Sequence, residues 1–302
     1  MSDTTTAPER DWYRALDMLT GPCAPKVKGR VPFWRPVTPK AIAEVRLPQW
    51  SWEVPQTLRP WDPADTITLD VNAAYLAACS SAVFAHGQLV HDGPADLSAP
   101  GAYLIDAHHW NEPGIVSPLG TRPLRSDRVW VMQPTAKLLA GIPDYWPGVT
   151  VYDAWTCPVS CRLRKWTEAV QADRIPARRA TVAGVPGAAA EYKRIKDGYS
   201  AAVEMMAGPA ADAKAKAEIR RPDWYATVHA QHAASTWRKA FTAWLTGHGP
   251  VRMGAVDELE FLTSDIEAIM QLPRPPFRFD PTGESLGALG VKDDQDDQEQ
   301  GE

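Results

Sequence analysis

The chain has 302 residues, 44% of them hydrophobic and 23% charged, enough to bury a sizeable core in one large domain or slightly more. It holds no run of about 18 apolar residues, and the opening MSDTTTAPERDW has neither a basic start nor an apolar stretch, so no membrane span and no secretion signal is expected and the expected address is cytoplasmic. The formal charge of −5 argues against a polyanionic partner only superficially: six of the last ten residues, DDQDDQEQGE, are acidic, and the near-neutral remainder can carry a local basic groove.

Residues 1–65 are rich in Pro and Trp (Trp34, Trp50, Trp52, Trp61), with a short helix expected near Trp12 to Leu19, and read as an irregular collar packing aromatics on the body. From Thr66 to Val71 the apolar Ile67, Leu69 and Val71 alternate with Thr66, Thr68 and Asp70, a period of two that predicts a strand. Asn72 can cap a helix over Ala73 to Phe84. Between Gly87 and Gly148 many Pro and Gly residues punctuate loops and short strands, with a small helix near Thr135 to Ala140, and Val149 to Trp155 predicts another strand.

Helices are expected near Leu163 to Asp173 and Ala188 to Met206, with the basic ARRATVAGVPG between them as a loop. Pro222 opens a long helix, Asp223 to Leu245, whose Val228, Trp237, Phe241 and Trp244 mark an apolar face. Val251 to Leu262 predicts a strand, and Ser264 with Glu267 forms a capping-box pattern for a last helix that Pro273 stops. The tail from 291 is expected to be disordered. Helices and strands mixed in this order predict an α+β domain with a mainly antiparallel sheet.

Four cysteines are too few and too scattered for a disulfide scaffold, and the lone Cys157-x-x-x-Cys161, which has no second half, reads as two small buried or half-buried residues, with metal binding as the lesser alternative. Two acids draw more interest. Alternation places Met253, Ala255, Asp257, Leu259 and Phe261 on one strand face. A carboxylate buried there costs several kcal/mol unless a metal ion or a second charge compensates; an edge strand with Asp257 in water is the alternative. Asp70 is likewise a lone acid in an apolar strand before a helix, where it either caps the helix or serves a metal.

The context of both acids resembles a known family. Asp70-Val-Asn-Ala-Ala-Tyr75-Leu resembles the first polymerase motif of family B DNA polymerases, Asp-x-x-Ser-Leu-Tyr-Pro, in the protein-primed variant Asp-Val-Asn-Ser-Leu-Tyr. Lys193-Arg-Ile-Lys-Asp197-Gly-Tyr-Ser-Ala resembles the second, Lys-x-x-x-Asn-Ser-x-Tyr-Gly. Gly254-Ala-Val-Asp257-Glu-Leu-Glu-Phe resembles the third, Tyr-x-Asp-Thr-Asp-Ser, and Asp280-Pro-Thr-Gly-Glu-Ser-Leu286-Gly287 resembles the Leu-Gly segment leading toward the thumb. Order and spacing suit a compact palm with fingers over residues 66–290.

The resemblance implies an α+β, palm-like and mainly antiparallel sheet with packed helices and short helical fingers. Residues 66–155 and 223–290 would form the palm, 156–222 the fingers and 291–302 an acidic tail. Asp70 and Asp257 would bridge two Mg²⁺ or Mn²⁺ ions. Tyr75 would lie beneath the incoming sugar, Lys193 and Arg179 would touch the triphosphate, and Arg178, Arg194 and Lys196 would hold DNA. The implied activity is nucleotidyl transfer from deoxynucleoside triphosphates onto single-stranded or primer-template DNA, in replication of a mobile or linear replicon. Sixty-five residues cannot hold an exonuclease domain and the chain stops where a thumb would begin, so a partner protein is expected to replace the thumb.

The alternative is a catalytically degenerate palm kept as a DNA-end or replisome binding module. Departures favour it: Ala255 stands for the first aspartate of the third motif, Met253 for its Tyr, and Leu76 for the Pro of the first motif. Asp197-Gly-Tyr-Ser-Ala replaces Asn-Ser-x-Tyr-Gly. Each residue also has a plainer role open to it. Tyr75 can be core beside Leu76 and Cys79, Lys193, Arg194 and Lys196 a solvated helix face, and Arg178 and Arg179 a loop pair. Arg220 and Arg221 can hold phosphate at a helix start.

Overall fold

The computed structural model describes Met18, Leu19, Cys23, residues 38–207 and residues 220–292. The helix expected near residues 12–19, apart from Met18 and Leu19, and the acidic tail from 293 lie outside the described residues. The elements run α1 (Lys40–Glu44), β1 (Trp50–Glu53), β2 (Thr66–Val71), α2 (Ala74–Ser81), β3 (Phe84–Ala85), β4 (Val90–His91), β5 (Gly101–Asp106), β6 (Arg128–Met132), α3 (Gln133–Ala140), β7 (Val151–Thr156) and β8 (Ser160–Cys161). They continue with α4 (Arg164–Val182), α5 (Ala188–Glu204), α6 (Pro222–Leu245), β9 (Arg252–Ala255), β10 (Glu258–Leu262), α7 (Thr263–Met270) and β11 (Leu289–Val291). Every sheet is antiparallel, so the class is α+β, as expected. No helix among the described residues is long and apolar enough to cross a membrane.

The chain divides into two bodies. The first comprises Met1–Leu47, Tyr75–His109 and Pro123–Ala234. Its main sheet has the order β4-β7-β5-β6. Ala102 and Met132 from this sheet are buried with Ile42, Ala85, Leu89, Cys157, Ala226 and Ala230 in one apolar cluster. Here α4 and α5 form a helical pair. Trp166, Val170, Arg174 and Ala177 are all buried on α4, at the three- and four-residue spacing of one helix face. That stripe carries α4 through Pro176 to Val182, where the sequence predicted a loop after Asp173. A proline removes one helical hydrogen bond, and continuous packing on both sides of it outweighs that loss. Arg178 and Arg179 therefore sit on a helix and not in a loop.

The second body comprises Pro48–Ala74, Trp110–Arg122 and Ser235–Glu302. Its five-stranded sheet has the order β1-β9-β10-β2-β11. Leu69, Val71, Met253, Leu259, Phe261 and Leu289 are buried and share the core face through their register. Two expectations are corrected here. Residues 50–53, expected in the irregular collar, form the edge strand β1, pinned by the indole N–H of Trp50 donating to the Ser117 carbonyl at 3.0 Å. The tail does not begin at 291: Val291 pairs with Leu69, and the Lys292 amide donates to the Thr68 carbonyl. The capping box also fails to form. α7 begins at Thr263 without a side-chain cap, and its first-turn Asp265 is taken by Arg59 and by His248 at 3.0 Å.

Gly290 lies opposite Asp70 in the β11–β2 register. A Cβ there would meet Asn72 Oδ1 at 2.9 Å and the Asp280 carbonyl at 3.2 Å, the carbonyl that accepts from the Asn72 amide. Gly290→Ala is therefore expected to destabilise the protein by about 1–3 kcal/mol through overpacking, read from the urea midpoint; an unchanged midpoint would show that Asn72 can swing aside at no cost.

Candidate active site

Asp70 is the penultimate residue of β2, between the buried Leu69 and Val71, and so points to the opposite sheet face. One of its oxygens accepts from the Val71 amide at 2.8 Å. The expected neighbour of β2 is not one strand but a hairpin. β9 and β10 pair with each other through Glu258↔Gly254, and β10 pairs with β2 through Leu259↔Leu69. Asp257 thus stands in the hairpin turn, and the single-strand expectation that set it on one face with Met253 and Leu259 is corrected. Extending the register places Glu258 opposite Asp70 and Asp257 one step beyond, level with Val71.

The backbone is unusual at both acids. Among the described residues, the non-glycine positions with positive φ are Ala73, at 47°, and Ala255, at 48°. One lies three residues after Asp70 and the other two residues before Asp257. Alanine gains nothing from the left-handed region and pays about 1 kcal/mol or more to enter it. Such strain persists where surrounding structure demands it, and here it shapes the two segments that carry the carboxylates.

The Asp70 face of the sheet carries several charged and polar side chains. Arg252 bonds Glu260 through Nε and reaches Glu258 at 3.3 Å, Lys292 Nζ donates to Glu258 at 3.2 Å, and the Thr66 hydroxyl donates to Glu260 at 2.5 Å. Glu258 and Glu260 are thereby charge-compensated by protein cations. No group of three or more His, Cys, Asp or Glu side chains able to hold a metal ion occurs among the described residues. Mg²⁺ commonly takes one or two carboxylates and completes its shell with water and substrate phosphates. Asp70 and Asp257 are carboxylates of the type such a shell uses.

In the first body, Tyr75 is the second residue of α2 and is half-buried. Its hydroxyl donates to Glu204 Oε1 at 3.4 Å, and its ring meets the edges of His229 and His232 at centroid distances of 5.0 and 6.1 Å. His229 Nε2 approaches the same Glu204 oxygen at 3.6 Å. His229 beside it, with the Tyr75 and Tyr225 hydroxyls, holds the Glu204 carboxyl below its ordinary range, against the upward push of burial.

Lys193 forms an i,i+4 pair with Asp197 at 3.6 Å, with 63% of its side chain exposed. So wet a pair is worth well under 1 kcal/mol. Arg194 pairs with Glu191, and Arg179 and Lys196 are exposed. The Arg178 guanidinium lies 5.3 Å from the centre of the Tyr192 ring. Arg174, one turn earlier, is buried and bonds Gln171 and the Tyr192 hydroxyl, so it joins α4 to α5 and offers no surface charge.

No family model matches this chain, and no curated protein matches it. Solved structures do. Phi29 DNA polymerase in an orthorhombic crystal form matches 94% of the chain at TM-score 0.57 and 10% identity. The phi29 ternary complex with primer-template DNA and incoming nucleotide matches 96% at TM-score 0.56 and 11% identity. The phi29 complex with single-stranded DNA matches 96% at TM-score 0.54 and 13% identity. The chain shares the fold of part of phi29 DNA polymerase. It spans about half the length of those polymerase chains, 51% and 52% of the first two.

Two sequence candidates have structural roles. Arg221, read as a possible phosphate holder, is fully buried and locked onto Asp223, so it is part of the core. Cys157 and Cys161 are free and buried; burial pushes the Cys161 thiol up to about 12, which keeps it neutral at ordinary pH. Two groups escaped sequence reasoning. Tyr225, His229 and His232 carried a signal, since positions i, i+4 and i+7 share a helix face. Glu258 and Glu260 carried one too, alternating on β10 opposite Arg252.

Proposed function

We propose that the chain is a family B-type, protein-primed polymerase-like protein that performs metal-dependent nucleotidyl transfer on DNA during replication of a mobile or linear replicon. The observation that carries this reading is the pairing of β2 with the β9–β10 hairpin. It sets the strand end bearing Asp70 beside the turn bearing Asp257, each next to a left-handed alanine. The fold likeness supports it, as do the titles of the matched structures, which describe phi29 polymerase with primer-template and single-stranded DNA.

In this reading Asp70 and Asp257 hold the divalent ions, which when bound neutralise charge on the transferring phosphate and activate the attacking hydroxyl. The protein's own part is positioning. Tyr75 excludes a 2′-hydroxyl, Lys193 and Arg179 balance the triphosphate charge, and Arg178, Arg194 and Lys196 hold DNA phosphates. The α4–α5 pair takes the fingers role. Template-directed extension of a primer with Mg²⁺ or Mn²⁺, abolished by EDTA, is the expected result; absence of any extension on primed, unprimed or protein-capped DNA would overturn it.

A second reading has its own observation. Glu258, in register with Asp70, is bound by Arg252 and Lys292, and Ala255 stands where the family motif has its first aspartate. Protein cations balancing charge on that face suit a degenerate palm that binds DNA without chemistry. Both readings require salt-sensitive DNA binding. Four or so phosphate contacts predict an affinity loss of about 100-fold between about 50 and 200 mM salt. Replacing Arg178, Arg179 and Lys193 by alanine should weaken binding and flatten the salt slope. A slope unchanged in that variant would move the DNA contact away from α4 and α5.

A further inference from the structure

We propose that Glu204 is the positioning residue for Tyr75, fixing the ring that distinguishes deoxyribose from ribose; the sugar role rests on the nucleotide-binding reading of Tyr75. Glu204 is the last residue of α5, and donors from two other helices converge on its carboxylate. The Tyr75 hydroxyl donates from α2 at 3.4 Å, while His229 Nε2 from α6 stands 3.6 Å away, in ion-pair rather than hydrogen-bond range. The Tyr225 hydroxyl, one turn before His229, is a further donor to it. The rings themselves form a continuous wall, with Tyr225 packed on His229 at 4.2 Å and Tyr75 edge-on to His229 at 5.0 Å.

This arrangement is more than core filling. Half of the Glu204 side chain is exposed, so the carboxylate is not there to complete a buried packing unit. A phenol on a helix N-terminus can swing about its χ1 torsion, and an anionic acceptor at a fixed point on another helix selects one rotamer. The imidazole of His229 stands on both members of the pair, touching the Tyr75 ring and the Glu204 oxygen. Removing the carboxylate takes away the anionic acceptor that sets the angle of the Tyr75 hydroxyl.

Extension by the full chain with deoxynucleoside and ribonucleoside triphosphates tests this in Glu204→Ala, Glu204→Gln, Tyr75→Phe and the Glu204→Ala/Tyr75→Phe pair. A single, partly exposed charged hydrogen bond predicts a ribonucleotide-to-deoxynucleotide ratio raised about fivefold in Glu204→Ala and in Tyr75→Phe, with no further rise in the pair. Glu204→Gln keeps an acceptor for the phenol and should restore the wild-type ratio. A ratio unmoved by Glu204→Ala, or both nucleotides slowed alike, overturns the proposal.

Protein labelled with 3-fluorotyrosine supplies a readout independent of activity, the Tyr75 fluorine resonance being assigned by its loss in Tyr75→Phe. Glu204→Ala should shift or broaden that resonance and Glu204→Gln should not. If wild type and Asp70→Ala both fail to extend DNA, the enzymatic reading falls while a shifted resonance upholds the positioning. A resonance indifferent to Glu204→Ala overturns the positioning whatever the activity.

Discussion

Arg221→Ala is expected to lower the stability of the folded protein by about 3–5 kcal/mol. The Arg221 and Asp223 side chains are 0% and 5% exposed. The guanidinium donates to both Asp223 oxygens, at 2.9 and 2.7 Å, and to the Ala85 carbonyl at 2.6 Å, and lies 4.5 Å from the centre of the Trp224 ring. Alanine takes the guanidinium from the buried Asp223 carboxylate and one donor from the Ala85 carbonyl, which keeps the Trp224 indole N–H at 2.8 Å. The unpaired charge is what costs most, so Arg221→Ala with Asp223→Ala should be less damaging than Arg221→Ala by itself. Arg220, exposed on the preceding residue, is the control, and its alanine variant should stay within about 0.5 kcal/mol of wild type. Urea unfolding measures all three; a loss below about 1 kcal/mol for Arg221→Ala would mean that water reaches Asp223.

How far the sequence revealed this molecule depended on whether local pattern or tertiary contact decided each element. Strand β2 was readable to the residue, because one buried face imposes a period of two on Ile67, Leu69 and Val71. Helix α6 was readable because Pro222 opens it and the glycines after Leu245 end it. The β9–β10 hairpin was hidden. Its turn lacks the Asn-Gly or Asp-Gly pair that usually marks one, and Ala255 supplies the positive φ instead. Alternation then ran unbroken across Val256 and Asp257 and gave Asp257 the wrong neighbours.

The remaining misses were contacts between segments distant in sequence. Arg174 and Arg221 look like surface charges in a basic stretch, and only Tyr192 and Asp223 in three dimensions make them core residues. Edge strand β1 is four residues long in a Pro-rich stretch and exists because β9 pairs with it. Glu204 carries no local sign of its role; its donors come from α2 and α6. The motif resemblance singled out Asp70, Tyr75 and Asp257 as candidates, while the register that sets Glu258 opposite Asp70 came from the fold.

The central claim is that Asp70 and Asp257 act together in nucleotidyl transfer, and Asp70→Asn and Asp257→Asn test it most directly. Asparagine matches aspartate in size, so the β2–β10 pairing and the hairpin turn should survive, as a wild-type unfolding midpoint would show. What is lost is the charge that would hold a divalent ion, worth several kcal/mol of barrier and hence on the order of 10³ in rate. Primer extension should be measured for both variants at saturating Mg²⁺, alongside their affinity for the same primer-template DNA. The expected result is extension reduced on the order of 10³-fold in each, with DNA affinity unchanged, because the proposed DNA contacts are Arg178, Arg194 and Lys196 and not the carboxylates. Extension at the wild-type rate in either variant would contradict the claim.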